Sequence, residues 1–262
     1  MSMQIPTRIS RKDTSGDTAT KIPKNLIQTF RTTELHPFIY NNIQNILSQN
    51  PDYNYIFLTD ADGEQLIREH FDEKVVSAFL KLKMGAAKAD FIRYAAMYIY
   101  GGVYLDLDSS IAVRMSDFLP KDREFVFFYD FNKNILQWCF MCAPKNKIIE
   151  NIIHEMVSRI HNGEKNIFIA TGPTLFTDVV LSMIVSNRLY NTYFTMPPQQ
   201  REGCFIENRN FMNGLFLDEM HYKSMFIERK QGYDNAMLYD DNNPKYQLIF
   251  VNETPGLYVT KQ

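Results

Sequence analysis

A helix-forming run that ends in two glycines and turns at once into a short apolar strand with an Asp-x-Asp end constrains this chain most. Residues Ala86 to Tyr100 carry apolar side chains over consecutive turns, and Gly101-Gly102 is a helix stop. Val103-Tyr104-Leu105-Asp106-Leu107-Asp108 follows, and 103–107 reads as a strand. Side chains alternate along a strand, so Asp106 and Asp108 are expected to point one way and Leu107 into the protein. Two like charges so close repel in a poorly hydrated site unless something neutralises them. A hard divalent cation, Mn²⁺ or Mg²⁺, does so through oxygen ligands and would in turn hold phosphates. Asp90 and Arg93 lie three apart on one face of the preceding helix. An arginine beside two carboxylates and a cation could clamp a diphosphate or a sugar hydroxyl.

The remaining composition narrows the class. The chain has 262 residues, 45% of them hydrophobic, which supports a large core. With 28 basic and 30 acidic residues and no basic run, nucleic acid is not expected as a partner. No apolar run approaches the length of a membrane span, and the Thr/Ser-rich start, Met1 to Lys21, lacks the apolar block of a signal peptide. A cytoplasmic protein is expected. Cys139-x-x-Cys142 has no second pair and no nearby histidine, so buried free thiols on opposite faces of a strand are expected there.

Along the chain, residues 1–21 read as a flexible arm and 22–262 as one α/β domain. Strands are expected at 25–30, 53–58, 103–107, 125–129 and 138–142. Helices are expected at 36–49, 63–70, 73–82, 86–100, 145–161 and from Pro173 to about residue 187. Early strand–helix alternation predicts a mixed, mostly parallel sheet flanked by helices. The last third is irregular, and Asp240-Asp241 falls in turn chemistry.

The run Lys88-Ala89-Asp90-Phe91-Ile92-Arg93-Tyr94, followed by Tyr100-Gly101-Gly102-Val103-Tyr104-Leu105-Asp106-Leu107-Asp108, resembles the Asp-x-Asp sugar-binding signature of glycosyltransferase family 32. The motif is shared distantly with the glucosylating bacterial toxins. Ile22-Pro23-Lys24-Asn25-Leu26-Ile27-Gln28-Thr29-Phe30 is similar to that family's first strand, and Thr171-Gly172-Pro173 to its Thr/Gly-Gly-Pro element. The resemblance runs from about residue 22 to 180. It implies a GT-A-type nucleotide-binding fold and a retaining hexosyl transfer from a nucleotide sugar, a UDP-sugar ahead of a GDP-sugar, to a glycan or other hydroxyl acceptor. It also implies Mn²⁺ or Mg²⁺. By that analogy Thr29, Phe30, Asp90, Arg93, Tyr104 and Asp106 bind the donor, and Asp106 and Asp108 hold the cation. Asp106, Asp108 and Arg93 would carry the catalysis.

Two departures stand in the first strand, where the family's usual His is Ile27 and its usual Trp is Phe30. An aromatic face remains to stack a base. His221, in His221-Tyr222-Lys223-Ser224-Met225-Phe226, loosely fits the family's third metal contact, whereas His36, His70, His154 and His161 read as structural or solvent-facing. Two rival readings use the same residues. Leu105-Asp106-Leu107-Asp108 superficially resembles the nucleophile strand of haloacid-dehalogenase-type phosphatases, although that strand usually opens the fold. The other rival is a non-catalytic relative that only binds a nucleotide sugar.

Overall fold

The computed structural model describes residues 2–11, 20–111, 114–129, 134–184, and the backbone of 214–217 and 226–228. In chain order the elements are β1 (Met3–Gln4), β2 (Arg8–Ile9), β3 (Asn25–Thr29), β4 (Glu34–Leu35), α1 (Pro37–Gln49), β5 (Asn54–Leu58), α2 (Asp60–His70), α3 (Glu73–Leu80) and α4 (Gly85–Tyr100). There follow β6 (Gly102–Leu105), β7 (Ser109–Ile111), α5 (Met115–Phe118), β8 (Phe125–Phe128), β9 (Cys139–Cys142), α6 (Lys147–His161), α7 (Ile167–Ala170), α8 (Pro173–Ile184), β10 (Gly214–Leu217) and β11 (Phe226–Glu228).

Seven strands form the main sheet in the order β10-β8-β9-β6-β3-β5-β2. The expected mixed α/β architecture is present. Three pairings are parallel and three antiparallel, so parallel pairing is half of the sheet rather than most of it. Its parallel centre is β5-β3-β6, with Ile27 opposite both Ile56 and Tyr104. Strand residues alternate between two cores. Leu26, Tyr55, Phe57, Val103 and Leu105 pack with Ile39, Ile43 and Ile46 of α1 on one face. Ile27, Ile56 and Tyr104 pack with α2, α3, α4, α6 and α8 on the other. Cys142 belongs to the second core and Cys139 to the first, both as free thiols, as the strand alternation predicts.

The arm expected over residues 1–21 is, over residues 2–11, part of the fold. Met3 pairs with Leu35, Arg8 pairs with Ile56 at the sheet edge, and Ile5 is buried between them. Two-residue strands with exposed side chains leave no periodic pattern, and backbone hydrogen bonds hold them instead. The Thr7 carbonyl, for one, accepts from Phe57 N at 2.9 Å.

The Gly101-Gly102 junction is set by close approach. Gly101 has φ +59° and Gly102 φ +125°. A Cβ on Gly102 would lie 2.4 Å from the Asn25 carbonyl oxygen, and one on Gly101 2.5 Å from Pro144 N. The Asn25 side-chain amide donates to the Tyr100 and Gly101 carbonyls at 3.1 and 3.2 Å, closing the end of α4 against β3. Gly102→Ala is therefore expected to lose about 2–4 kcal/mol through strain and overpacking. Gly85→Ala, where nothing lies within 4 Å, should cost nothing. Urea unfolding measures both, and equal midpoints would contradict the close approach.

Candidate active site

In sheets with parallel strands, ligands bind outside the carboxyl ends where the strand order reverses. The β3–β5 connection carries α1 on one face, and the β5–β6 connection carries α2, α3 and α4 on the other. The reversal falls between β3 and β6. Thr29 and Phe30 stand at the end of β3, and Tyr104 and Asp106 at the end of β6.

Arg93 is the centre of the site. Its Nη2 lies 3.2 Å from Asp90 Oδ1 and 3.2 Å from Asp106 Oδ1, and its Nη1 donates to the Gln137 carbonyl at 2.8 Å. Its Cζ lies 4.7 Å from the centroid of the Tyr104 ring. The Tyr104 hydroxyl donates to Asp106 Oδ1 at 2.7 Å and sits 3.3 Å from the Thr29 hydroxyl. Asp90 accepts from the Thr171 hydroxyl at 2.9 Å and from Gln137 Nε2 at 3.2 Å. The Tyr94 hydroxyl donates to Gln137 Oε1. Below this layer, Tyr94 and Tyr104 tilt against Phe140 at 6.4 and 5.7 Å.

Burial grades the charges. The Asp90 and Arg93 side chains are 6% and 7% exposed, whereas Asp106 is 29% exposed. Burial pushes the Asp90 carboxyl up to about 7, against the lowering by Arg93 and Thr171, and Asp106 adds to the rise. Burial also opposes the Arg93 charge, but Asp106, with Asp90 behind it, more than offsets this and holds the guanidinium protonated. The two shifts agree once one cation is seen to serve two carboxylates. Asp90 is compensated only in part, while Arg93 is held twice. Every partner of Asp90 named above is a donor, which fits its carboxylate form. Burial lifts the Tyr104 phenol well above its ordinary range, so it serves as an O–H donor.

The strand expected to run through Leu107 ends at Leu105. The Asp106 N–H donates to the Trp138 carbonyl at 2.8 Å, and the Ser109 N–H to the Asp106 carbonyl at 3.2 Å, so 106–109 is a turn. Strand alternation therefore does not fix a common face for Asp106 and Asp108. Leu107 does point inward, into the α1-side core, and Asp108 is half-buried in the turn. The bond to Trp138 continues the register of β6 against β9, and the local turn closed by the Ser109 N–H ends the strand where the sequence pattern would continue it.

Thr29, Asp90, Arg93, Tyr104 and Asp106 are thus brought together. Phe30 packs partly against the α1-side core, with the Arg31 guanidinium 5.5 Å from its ring centroid. Ile27, at the family's His position, is wholly buried. His221 and the Asp240-Asp241 pair lie outside the described residues. Among the described residues no three His, Cys, Asp or Glu side chains gather as a cation site. The donor chemistry of Asp106 and Asp108 still fits a hard cation. The two Asp106 contacts above both use Oδ1, leaving Oδ2, and Mg²⁺-like ions characteristically take one or two carboxylates with water and phosphate completing the shell. Gln137, Tyr94 and the Thr171 hydroxyl were not expected in the site. Thr171 was visible as part of Thr-Gly-Pro, but Gln137 carried no signal beyond a polar residue ahead of a buried strand.

The mixed α/β sheet flanked by helices, with acidic residues at its switch point, is a GT-A-like arrangement. Residues 39–125, which include Asp90, Arg93, Tyr104, Asp106 and Asp108, match the family model described as a glycosyltransferase sugar-binding region containing a DXD motif. The chain is 28% identical over 203 residues to an uncharacterized glycosyltransferase, L373, of Acanthamoeba polyphaga mimivirus, covering 71% of this chain and 80% of that protein. It is 34% identical over 110 residues to inositol phosphoceramide mannosyltransferase 2 of Schizosaccharomyces pombe, covering 42% of this chain and 31% of that one. The chain therefore spans less than a third of the fungal relative's length. Among solved structures, the PaToxG glycosyltransferase superposes with a TM-score of 0.51 at 15% identity, covering 72% of this chain and 78% of that one, which shows a shared fold. Over residues 39–125 the chain is thus similar to the Asp-x-Asp sugar-binding region of glycosyltransferases, and it shares the fold of a solved one. The phosphatase reading is not favoured, because the helix–Gly-Gly–strand unit it leaves unexplained lies inside that region.

Proposed function

We propose that this chain is a cation-dependent glycosyltransferase that moves a hexose, with retention of configuration, from a nucleotide sugar to a glycan or other hydroxyl acceptor. The observation that carries this reading is the Asp90–Arg93–Asp106–Tyr104 cluster at the β3/β6 switch point. The fungal relative's name makes mannose the first hexose to test. Asp106 and Asp108 would hold Mn²⁺ or Mg²⁺, which supplies Lewis-acid neutralisation of the leaving diphosphate when bound. Arg93 and Tyr104 fix the Asp106 carboxylate before any ligand arrives, so little reorganisation is left for the reaction. Asp90 presents a fixed acceptor toward sugar hydroxyls, and Phe30 offers a face for the base. Retention rests on the family likeness, since none of these groups stands out as a covalent nucleophile.

A thermal-shift screen of UDP-glucose, UDP-galactose, UDP-N-acetylglucosamine and GDP-mannose, with and without Mn²⁺, tests the reading. One donor at a hundredfold excess over its Kd should raise Tm by about 5–10 °C, only with the cation. Slow donor hydrolysis should accompany it. No shift with any donor would sink the proposal, and binding without hydrolysis or transfer would favour the non-catalytic relative.

A further inference from the structure

We infer that Gln137 is a positioning residue for the donor-sugar end of this site, an inference that rests on the glycosyltransferase reading above. Gln137 lies just before β9, outside the helix–Gly-Gly–strand unit, yet three of its polar groups enter the cluster. Nε2 donates to Asp90 Oδ1 at 3.2 Å, Oε1 accepts from the Tyr94 hydroxyl, and the backbone carbonyl accepts from Arg93 Nη1 at 2.8 Å. The next carbonyl, of Trp138, accepts from the Asp106 N–H at 2.8 Å. Two consecutive residues thus tie the segment leading into β9 to both ends of the Asp90–Arg93–Asp106 row.

The amide orientation follows from its neighbours. Tyr94 brings a proton and needs an acceptor, and burial lifts its phenol well above the ordinary range, so that proton stays. Asp90, in its carboxylate form, needs a donor. Only a side chain with one acceptor and one donor at this reach serves both, and glutamine does. Asp90 sits almost closed to solvent, where a lost donor is not replaced by water without cost. In Arg93, Nη2 already faces two carboxylates and Nη1 is held by the Gln137 carbonyl, and the buried Nε has no partner in the cluster. Gln137 therefore sets where the Asp90 carboxylate stands, and through it the acceptor offered to the sugar. Its side chain makes no hydrogen bond to the Asp106 side chain and is linked to the cation end only through Arg93.

The test compares wild type, Gln137→Glu and Gln137→Ala in the full chain. Glutamate keeps the shape and the acceptor for Tyr94 but removes the donor to Asp90. Donor kcat/KM and the Mn²⁺-dependent affinity for the nucleoside diphosphate alone are measured with the nucleotide sugar that the donor screen selects. Both variants should lose about 10–100-fold in kcat/KM for the nucleotide sugar, the usual cost of a supporting hydrogen bond in a site. Nucleoside diphosphate affinity should stay within about twofold, because only the sugar end is disturbed. A merely structural role would lower both together, with a fall in Tm, and would overturn the inference. So would Gln137→Glu with wild-type kcat/KM. If wild type itself neither binds nor turns over any nucleotide sugar, the functional reading falls and takes this inference with it. Failure of the inference alone leaves wild-type turnover intact.

Discussion

Arg93→Met should cost about 3–5 kcal/mol of stability and remove transfer activity, because it breaks a buried ion pair and leaves carboxylates without their counter-charge. Methionine fills the path of the arginine stem, so the loss reports the charge rather than a cavity. Arg93 faces Asp90 and Asp106 at 3.2 Å each, and its own side chain is 7% exposed. Arg93→Lys should rescue only part of this, since a point charge cannot reach both carboxylates and the Gln137 carbonyl together. The cost should depend on pH. Burial already lifts Asp90 to about 7 with Arg93 in place, and removing Arg93 lifts it further. A folded-state pKa above the unfolded value, 3.8, contributes stability that is present at low pH and is lost as pH rises through the folded pKa. Urea unfolding at pH 5.5 and pH 8 should therefore show a smaller loss at pH 5.5, where Asp90 in the variant accepts a proton. Equal losses at both pH values would show that Arg93 is not the counter-charge of Asp90.

That row of charges is partly legible in the sequence. Asp90 and Arg93 share a helix face by spacing, and the two glycines announce a sharp junction, so a compact helix–strand unit follows from local rules alone. The two glycines are required by Asn25 and Pro144, which are remote in sequence, and local rules could not supply that reason. Val103 to Leu107 alternates like a strand, yet the Asp106 N–H makes the last bond to β9's flank, at the Trp138 carbonyl, and the turn closed by Ser109 then diverts the chain. Gln137 and the Thr171 hydroxyl are single polar residues without a pattern. They become site residues only because β9 and the start of α8 pack beside α4. Residues 2–11 add the complementary case, in which backbone pairing at a sheet edge builds structure that leaves no side-chain signature.

Asp108→Asn and Asp106→Asn should both reduce transfer about 10³-fold, the scale on which a lost electrostatic contact to a leaving group is felt, yet they should separate in calorimetry. Asp108 stands in the 106–109 turn, half-buried, outside the Arg93 row. Its amide variant should lose the Mn²⁺-dependent part of nucleotide-sugar affinity, leaving what binds in EDTA. Unchanged Mn²⁺-dependent affinity would remove Asp108 from the cation site. Asp106 has two tasks. Its Oδ1 receives Tyr104 and Arg93, and an amide can keep the first contact while losing the ion pair. Arg93 would then serve Asp90 alone, and the Asp90 carboxyl, no longer facing a second negative charge, should fall below its present value near 7. Asp106→Asn should therefore lose cation-dependent affinity and also reverse part of the pH dependence of stability that Asp90 imposes. If the two variants behave alike in both respects, the two aspartates act as one cation site and the Arg93 row has no separate hold on Asp106. If they differ as described, the Asp-x-Asp pair divides its work, with Asp108 answering to the cation and Asp106 to the cation and the buried arginine together.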